Sequence, residues 1–307
     1  DLYRQHPDWV IHFPTRARSE ARNQLILNCA RPDVQDYLID VLDRLLSQHE
    51  IAFIKWDMNR NVSEPGWPDA PRDAREIWLR YVQGVYRIWG TLRQRHPQVL
   101  FQSCSGGGGR ADLGILRYAD QIWVSDNTMP AARLRMHEGF SQCFPACTME
   151  AWVTRDEFAQ QHQAAYIPLA YRFHVNMLGV LGLGMDLKRL NAQERAEARQ
   201  LIALYKEVRP LVQFGVQHRL ASLADGPYSA WLYASPDQRE AVCFVFRSHA
   251  PDPAQPFFLR LRDLDPAARY TVEGFAGPRS GAAWMSWPLE IELPNFGSRV
   301  LRIRRAD

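Results

Sequence analysis

The chain has 307 residues, of which 46% are hydrophobic and 11% aromatic, so it can bury a large core in one big domain or in a big and a small one. Its net charge is only +3, with 37 Lys and Arg mixed among 34 Asp and Glu, and it lacks the basic runs of proteins that bind nucleic acid or anionic lipid. A neutral partner is expected, and no nucleic acid.

No stretch approaches the roughly 20 apolar residues that span a bilayer, and the first residues lack the hydrophobic segment of a signal peptide. The five cysteines are scattered along the chain, and their odd number favours a reducing compartment. We therefore expect a cytoplasmic protein without a membrane partner. Cys143 and Cys147 lie near His137, but no second close pair completes a tetrahedral zinc site, so no metal is predicted.

Short apolar runs alternate with longer amphipathic patterns over the first two thirds of the chain. The short runs are typical of strands, and the longer ones repeat their apolar residues at the spacing of a helix. Alternation of this kind predicts a parallel sheet. The predicted strands are 25–27, 51–54, 99–101 and 122–124, and the predicted helices are 33–48, 75–95 and 192–208.

Two segments late in this region have further signals. Asn191 and Glu194 have the spacing of a capping box at the start of the last helix, which is expected to stop before Pro210. The segment 173–184 is rich in glycine and is interpreted as a late barrel strand with its loop.

The pattern changes near residue 215. Beyond it, short alternating segments separated by Asp-Gly, Pro-Asp and Gly-Pro turns are typical of antiparallel strands. The predicted fold is α/β: a (β/α)8 TIM barrel in residues 1–215, followed by a small C-terminal antiparallel β-sandwich in 216–307.

Two aspartates, Asp57 and Asp126, each follow a predicted strand that contains a tryptophan. Parallel barrels place their catalytic groups at the carboxyl ends of such strands. Cleavage of a glycosidic bond with retention requires one carboxylate as nucleophile and a second as acid and base, and this pair fits those roles. Lys55 lies two residues before Asp57, on the same side of a strand, where its charge would keep that acid ionised. A helix cap or ion pair for Asp57, and a simple turn for Asp126, remain open.

The run 102–110 contains four consecutive glycines after a predicted strand, where a ligand could touch bare backbone. It lacks the Lys-Ser/Thr ending of a phosphate-binding loop and the glycine spacing of a dinucleotide site, and a plain turn stays open. Trp56, Trp123 and Trp152 are candidates to stack on a sugar ring, Trp123 first among them, although each also suits a core.

Three motifs, in residues 55–60, 104–110 and 123–128, together resemble the retaining α-galactosidases of glycoside hydrolase family 36. The motifs occur in the order and at the spacing of that family, and similar segments cover essentially all of the chain. The resemblance implies that Asp57 is the nucleophile and Asp126 the general acid/base. The positions that it implies contact galactose are Arg22, Lys55, Cys104, Gly107 and Trp123.

By this resemblance the chain hydrolyses terminal α-D-galactosyl residues of oligosaccharides such as melibiose or raffinose through a covalent galactosyl-enzyme. That chemistry requires no metal or organic cofactor. A galactosyl transferase of the raffinose-synthase kind and an inactive sugar-binding fragment are the alternatives. A homo-oligomer is a candidate assembly, because members of the family commonly associate.

The chain departs from the family in two ways. Met129 and Pro130 follow Thr128, where members often have a second acid close to the acid/base. The large N-terminal β-sandwich and the opening barrel strands, which supply an Asp-Asp pair and a Trp to the pocket, precede the part of the family that this chain resembles. We therefore expect a piece of a longer protein whose barrel is incomplete at its N-terminal end, with about six of eight strands.

Overall fold

The structure is a computed structural model that describes residues 1–154, 167–251 and 256–306. Its internal contacts define two compact units, Asp1–Asp126 and Asn127–Asp307. The domain boundary predicted near residue 215 stays a prediction.

The first unit contains a parallel sheet covered by helices. Its strands are hydrogen-bonded in the order β1, β2, β3. Phe53 lies opposite Leu100, and Gln102 lies opposite Gln121, so the three carboxyl ends share one edge. The elements are α1 (Leu2–Gln5), α2 (Pro32–Gln48), β1 (Phe53–Trp56), α3 (Ile77–Arg95), β2 (Leu100–Ser103) and β3 (Gln121–Trp123).

Helices α2 and α3 form where the apolar periodicity predicts them. Pro32 is the first residue of α2, and its fixed φ suits the first turn of a helix. The buried side chains of α2 include Val34 and Ile39. Those of α3 include Trp89, which is fully buried and packs against Phe101 of β2 with 5.5 Å between ring centroids. These helices therefore bury one face and leave the charged face to solvent.

A close backbone approach joins α3 to the segment before α2. A Cβ atom built on Gly84 would lie 1.7 Å from the carbonyl oxygen of Cys29. The same oxygen accepts a hydrogen bond of 2.8 Å from Nε2 of Gln35. Only glycine leaves room for this contact, so Gly84 sets how closely the two helices pack.

The strand predicted at 25–27 is absent from the described part of the chain. Leu27 instead forms an isolated antiparallel bridge with Val10. The amide of Ile11 donates to the carbonyl oxygen of Ile26 at 2.9 Å. This segment pairs with the N-terminal residues rather than with β1, because a short apolar run does not specify its partner.

The second unit combines a parallel strand pair with an antiparallel module. Strands β4 and β5 are parallel, with Ala151 opposite Leu181. The antiparallel module has a six-stranded sheet in the order β11-β10-β13-β8-β7-β6 and a two-stranded sheet of β9 and β12. The elements are α4 (Pro130–Phe140), β4 (Met149–Val153), α5 (Leu169–Asn176), β5 (Val180–Leu183), α6 (Ala192–Phe214), β6 (Val216–Ala221), β7 (Tyr228–Ala234), β8 (Glu240–Arg247), β9 (Phe257–Leu259), β10 (Arg269–Val272), β11 (Arg279–Ser280), α7 (Gly281–Ser286), β12 (Leu289–Ile291) and β13 (Ser298–Arg305).

The strand predicted to begin at residue 173 begins later, because Leu169–Asn176 is helical. Residues 171–176 are all buried, including Arg172, His174 and Asn176, so this helix exposes no polar face to solvent. Without an exposed polar face, the spacing of the apolar residues does not distinguish a helix from a strand. The predicted barrel strand is present as β5, at Val180–Leu183.

The capping box at the start of α6 is confirmed. The amide of Glu194 donates to the side chain of Asn191 at 2.9 Å, and the amide of Asn191 donates to the carboxylate of Glu194 at 2.8 Å. The predicted end before Pro210 is wrong, because α6 continues to Phe214. A proline removes one backbone hydrogen bond, and the packing of Val208 and Val212 keeps the helix going past it.

The central strands of the antiparallel module are buried on both faces. All seven residues of β7 are buried. One face of β7, which includes Leu232, belongs to the hydrophobic cluster that also contains Trp284. On the other face, the hydroxyl of Tyr233 donates to the carbonyl oxygen of Leu178 at 2.9 Å. The module is therefore joined to the helical part of its own unit through a buried interface.

In the part of the chain that the structure describes, no helix has the length and apolar character to cross a membrane.

We predict that Gly84→Ala destabilises the protein by about 1–3 kcal/mol, because the added methyl group must displace the Cys29 carbonyl. Urea unfolding followed by circular dichroism measures the change. The control is Gly139→Ala in α4, where nothing lies within 4 Å of the added Cβ. Alanine there should be neutral or stabilise by up to about 1 kcal/mol. Equal stability of the two variants would contradict the prediction.

Candidate active site

Asp57 is the first residue after β1, at the carboxyl edge of the sheet in the first unit. Its carboxylate is exposed and accepts a hydrogen bond of 2.7 Å from Nδ2 of Asn59. The thiol of Cys104, which follows β2, donates a second hydrogen bond to it. Asp57 is therefore a solvent-accessible acid held by donors from two neighbouring loops.

These contacts lower the pKa of Asp57. Partial burial alone would raise it, but the hydrogen bonds from Cys104 and Asn59 outweigh that effect. The positive charge of Lys55 and the backbone amide of Gly106 act in the same direction. Asp57 is consequently an ionised carboxylate at neutral and mildly acidic pH.

Cys104 is a buried thiol, with 1% of its surface exposed. Burial raises its pKa to about 11, and the neighbouring Asp57 carboxylate adds to the increase. The side chain is therefore protonated at neutral pH and acts as a hydrogen-bond donor rather than as a nucleophile.

The glycine run brings the loop after β2 into contact with the backbone that precedes Asp126. Gly107 has a φ of +91°, which disfavours any other residue. A Cβ atom on it would lie 2.8 Å from Cα of Ser125 and 3.2 Å from the amide nitrogen of Asp126. On the other side of the loop, the hydroxyl of Ser105 donates to the carbonyl oxygen of Met58 at 2.9 Å. The loop thus separates and spaces the two aspartate segments.

Asp126 follows β3 and is oriented by a residue of that strand. Nε1 of Trp123 donates to Oδ1 of Asp126 at 2.8 Å. The ammonium of Lys55 lies 4.6 Å from the centroid of the Trp123 ring, which is the geometry of a cation–π contact. Lys55 therefore reaches from β1 across the sheet. It contacts the tryptophan that binds Asp126, and its charge lowers the pKa of Asp57.

The structure brings six of the predicted residues together: Lys55, Asp57, Cys104, Gly107, Trp123 and Asp126. Arg22 lies apart from these contacts, in an exposed turn closed by a bridge between Ala21 and Gln24. The individual roles of the seven residues stay predictions.

The other two tryptophans have different environments. Trp56 is half-buried and stacks on the buried Trp89, with 5.5 Å between ring centroids and 5° between planes, so it packs on the core of the first unit. Trp152 lies in the second unit, where its Nε1 donates to Glu150 at 2.7 Å.

Two residues of the site were missed by the sequence argument. Asn59 donates to the nucleophile candidate, and Arg110 donates from Nη2 to the carbonyl oxygen of Trp56 at 2.5 Å. Both residues lie within the motifs at 55–60 and 104–110, and that location is the signal that could have marked them as site residues. The sequence does not indicate which atoms they contact. Among the residues that the structure describes, no group of three or more His, Cys, Asp or Glu side chains is placed to hold a metal ion.

Comparison with known proteins identifies the chain. A family model described as melibiase matches residues 1–215, and one described as the glycosyl hydrolase family 36 C-terminal domain matches residues 228–303. The chain belongs to the melibiase family, in glycoside hydrolase family 36.

Two relatives illustrate the similarity. Alpha-galactosidase AgaA of Geobacillus stearothermophilus is 42% identical over 276 residues, which is 89% of this chain and 37% of the relative. Probable alpha-galactosidase C of Aspergillus flavus is 38% identical over 311 residues, which is 99% of this chain and 39% of the relative. The chain therefore spans about two fifths of the length of the relatives that it matches.

Solved structures confirm the fold. The crystal structure of AgaA superposes with a TM-score of 0.92 at 39% identity, covering 100% of this chain and 43% of that chain. A variant of AgaA in complex with raffinose gives a TM-score of 0.91, with the same 39% identity and 43% of that chain covered. The fold is an incomplete (β/α)8 barrel followed by an antiparallel β domain, as the sequence predicts, with five parallel strands in the described residues instead of the expected six or so.

We predict that Cys104 resists alkylation by iodoacetamide at pH 8, because it is buried and its pKa is raised to about 11. Cys143 is exposed and serves as the internal control. Peptide mass spectrometry should show Cys143 modified at least about tenfold faster. In urea all five cysteines should react, and equal rates in the folded protein would contradict this assignment.

Proposed function

We propose that this chain forms the catalytic part of a retaining α-galactosidase, which hydrolyses terminal α-D-galactosyl residues of oligosaccharides of the melibiose and raffinose type. The observation that carries the proposal is the pair Asp57 and Asp126, which follow two strands on either side of β2 and have different hydrogen-bond partners. Relatives named as α-galactosidases, and AgaA variants in complex with raffinose and stachyose, support the substrate class.

Asp57 is the nucleophile in this mechanism. Its carboxylate attacks the anomeric carbon of galactose, and a galactosyl-enzyme ester forms as the bond to the leaving oxygen breaks. A nucleophile must be ionised before it attacks, and the lowered pKa of Asp57 meets that requirement. Asn59 donates a hydrogen bond to Oδ2 of this carboxylate, and the thiol of Cys104 donates another. These two donors fix the orientation of the carboxylate before the sugar arrives.

Asp126 is the general acid and base. It donates a proton to the leaving oxygen in the first step and removes one from the attacking water in the second. The hydrogen bond from Trp123 Nε1 to Oδ1 orients this carboxylate for proton transfer. Trp123 therefore orients the acid.

The sheet geometry is compatible with retention. Strands β1 and β3 are separated by β2, which corresponds to roughly 10 Å between their backbones. Two aspartate side chains that lean over the intervening glycine loop can approach the separation of about 5–5.5 Å that retaining enzymes use. Gly107 lets that loop lie close to the Ser125 backbone, because it has no side chain to separate them.

The galactose contacts complete the proposal. Lys55 supplies a cation beside the nucleophile, Cys104 a buried donor and Gly107 bare backbone, while Arg22 reaches the sugar from its exposed turn. The matches of the two family models support a catalytic region in residues 1–215 and a separate β domain in 216–307. The scattered, unpaired cysteines support a cytoplasmic location.

We predict that Asp57→Asn lowers the release of nitrophenol from para-nitrophenyl α-galactoside at least about a thousandfold, because an amide cannot form the ester. The matched control is Asp40→Asn, on the exposed face of α2, which should keep wild-type activity. Proton NMR of the first product should show the α anomer of galactose. Inversion of configuration, or an active Asp57→Asn enzyme, would refute the mechanism.

The same assay separates the alternatives. Addition of sucrose as an acceptor distinguishes a transferase, which would give a galactosylated sugar as the main product instead of free galactose. A protein that binds melibiose yet releases no galactose in any condition would be a sugar-binding fragment.

We predict that Cys104→Ala moves the acidic limb of the kcat/KM profile to higher pH. The thiol hydrogen bond helps to lower the pKa of Asp57, so its removal raises that pKa and the carboxylate is lost to protonation earlier as pH falls. The control is Cys143→Ala, an exposed cysteine, whose profile should match the wild type. An unmoved acidic limb in Cys104→Ala would show that the thiol does not influence the nucleophile.

A further inference from the structure

Arg110 ends the glycine run, and its side chain folds back beneath the site. Its Nη2 donates to two carbonyl oxygens, that of Trp56 at 2.5 Å and that of Cys104 at 2.8 Å. Trp56 is the last residue of β1, and Cys104 is the first residue after β2. One guanidinium group therefore joins the carboxyl ends of the two strands.

This junction brackets the nucleophile candidate. The amide of Cys104 donates to the carbonyl oxygen of Trp56 at 3.1 Å, and the amide of Met58 donates to that of Cys104 at 3.2 Å. Asp57 lies between Trp56 and Met58, so its backbone is held on both sides by Cys104. Arg110 donates to the carbonyl oxygens of Trp56 and Cys104, which are the two acceptors of this ladder. It therefore holds the parallel strands together at the end where they would otherwise separate.

The guanidinium is mostly buried, and burial lowers the pKa of Arg110. Its carbon lies 6.0 Å from the ring centroids of both Trp56 and Trp89. A buried cation is costly unless its surroundings compensate it, so its presence here requires compensation by acceptors and opposite charge.

Four ionisable groups act on Arg110 electrostatically: Tyr81, Cys29, Cys104 and Asp57. Burial raises the pKa of Cys29 to about 12 and that of Cys104 to about 11. Burial also raises the pKa of Tyr81. At neutral pH these three are uncharged, and Asp57 is the anion among the four, with Lys55 as a second cation that acts on its carboxylate.

We propose that Arg110 is a positioning residue of this site, which ties the ends of β1 and β2 so that Asp57 and Cys104 keep their geometry, and which adds a positive charge near Asp57. The proposal rests on the proposed function, in which Asp57 is the nucleophile. It assigns to Arg110 no contact with the sugar.

A cavity makes the proposal testable by chemical rescue. It has a volume of about 180 Å³, and Arg110, Met58, Tyr81 and Gly109 are among its lining residues. A cavity of that size holds ligands as large as benzene, so it has room for a guanidinium ion. Removing the Arg110 side chain should leave an ion-sized site that is reached through this cavity.

The experiment compares full-length wild-type enzyme with Arg110→Ala and Arg110→Lys. In Arg110→Ala, kcat should fall about a hundredfold with a smaller change in KM, because a displacement of about 1 Å in the nucleophile costs that much. The acidic limb of the kcat/KM profile should move to higher pH, because a cation near Asp57 is lost. Guanidinium chloride at millimolar concentrations should restore part of kcat and return the limb towards its wild-type position.

Arg110→Lys separates the two roles of the side chain. Lysine keeps the charge but lacks the planar group that bridges both carbonyls. Its acidic limb should match the wild type, while its kcat should be lower by about tenfold. A wild-type kcat in Arg110→Lys would overturn the proposed tie between the strands, and this variant also covers the case in which Arg110→Ala does not fold.

Arg117→Ala is the matched control, because Arg117 is an exposed arginine of the same unit. Its activity and pH profile should be those of the wild type, with or without guanidinium. A folded Arg110→Ala enzyme with wild-type kcat and pH profile would overturn the proposal.

A readout without turnover keeps the two proposals distinguishable. Carbon-13 NMR of aspartate-labelled protein, with Asp57→Asn to assign the signal, follows the titration of Asp57 directly. A higher pKa of Asp57 in Arg110→Ala supports the role of Arg110 even where the wild type shows no galactosidase activity, which would count against the proposed function alone. An unchanged titration overturns the role of Arg110 even where the wild type is active.

Discussion

The backbone ladder between the ends of β1 and β2 is the constraint on which the rest of the site depends. Cys104 pairs with Trp56 through its amide and with Met58 through its carbonyl, and Asp57 is held between these two bonds. The same residue then uses its thiol to bind the Asp57 carboxylate. The register of the parallel strands therefore sets the position of the Asp57 carboxylate, because Cys104 both pairs with β1 through its backbone and donates to that carboxylate through its thiol.

The electrostatics of the site follow from which cations the sheet brings near Asp57. Lys55 approaches along β1 and rests on the Trp123 ring, and Arg110 approaches from the glycine loop behind the strands. The neighbouring thiols and phenol are too deeply buried to ionise at neutral pH. The Asp57 carboxylate is therefore stabilised in its charged form while it stays exposed to solvent, as a group that binds a substrate requires.

The sequence predicted α2 and α3 well, and β1, β2 and β3 to within about two residues, because their apolar periodicity and their polar boundaries come from local physics. It failed where the signal was not local. The run 25–27 pairs with Val10 instead of joining the sheet. Residues 171–176 of α5 are all buried, polar side chains included, so no exposed polar face marks the helix in the sequence. Helix α6 passes through Pro210 because packing on both sides outweighs one missing hydrogen bond.

The sequence by itself determined the motifs, their order and the residue types, and with them the family and the pair Asp57 and Asp126. Residue identity and spacing are linear properties, and they suffice for that. Only the tertiary structure decided the contacts: Trp123 donates to Asp126, Trp56 stacks on Trp89, and Arg110 bridges two strands. These contacts depend on strand register and on side-chain direction across neighbouring loops, which no spacing along a single chain specifies.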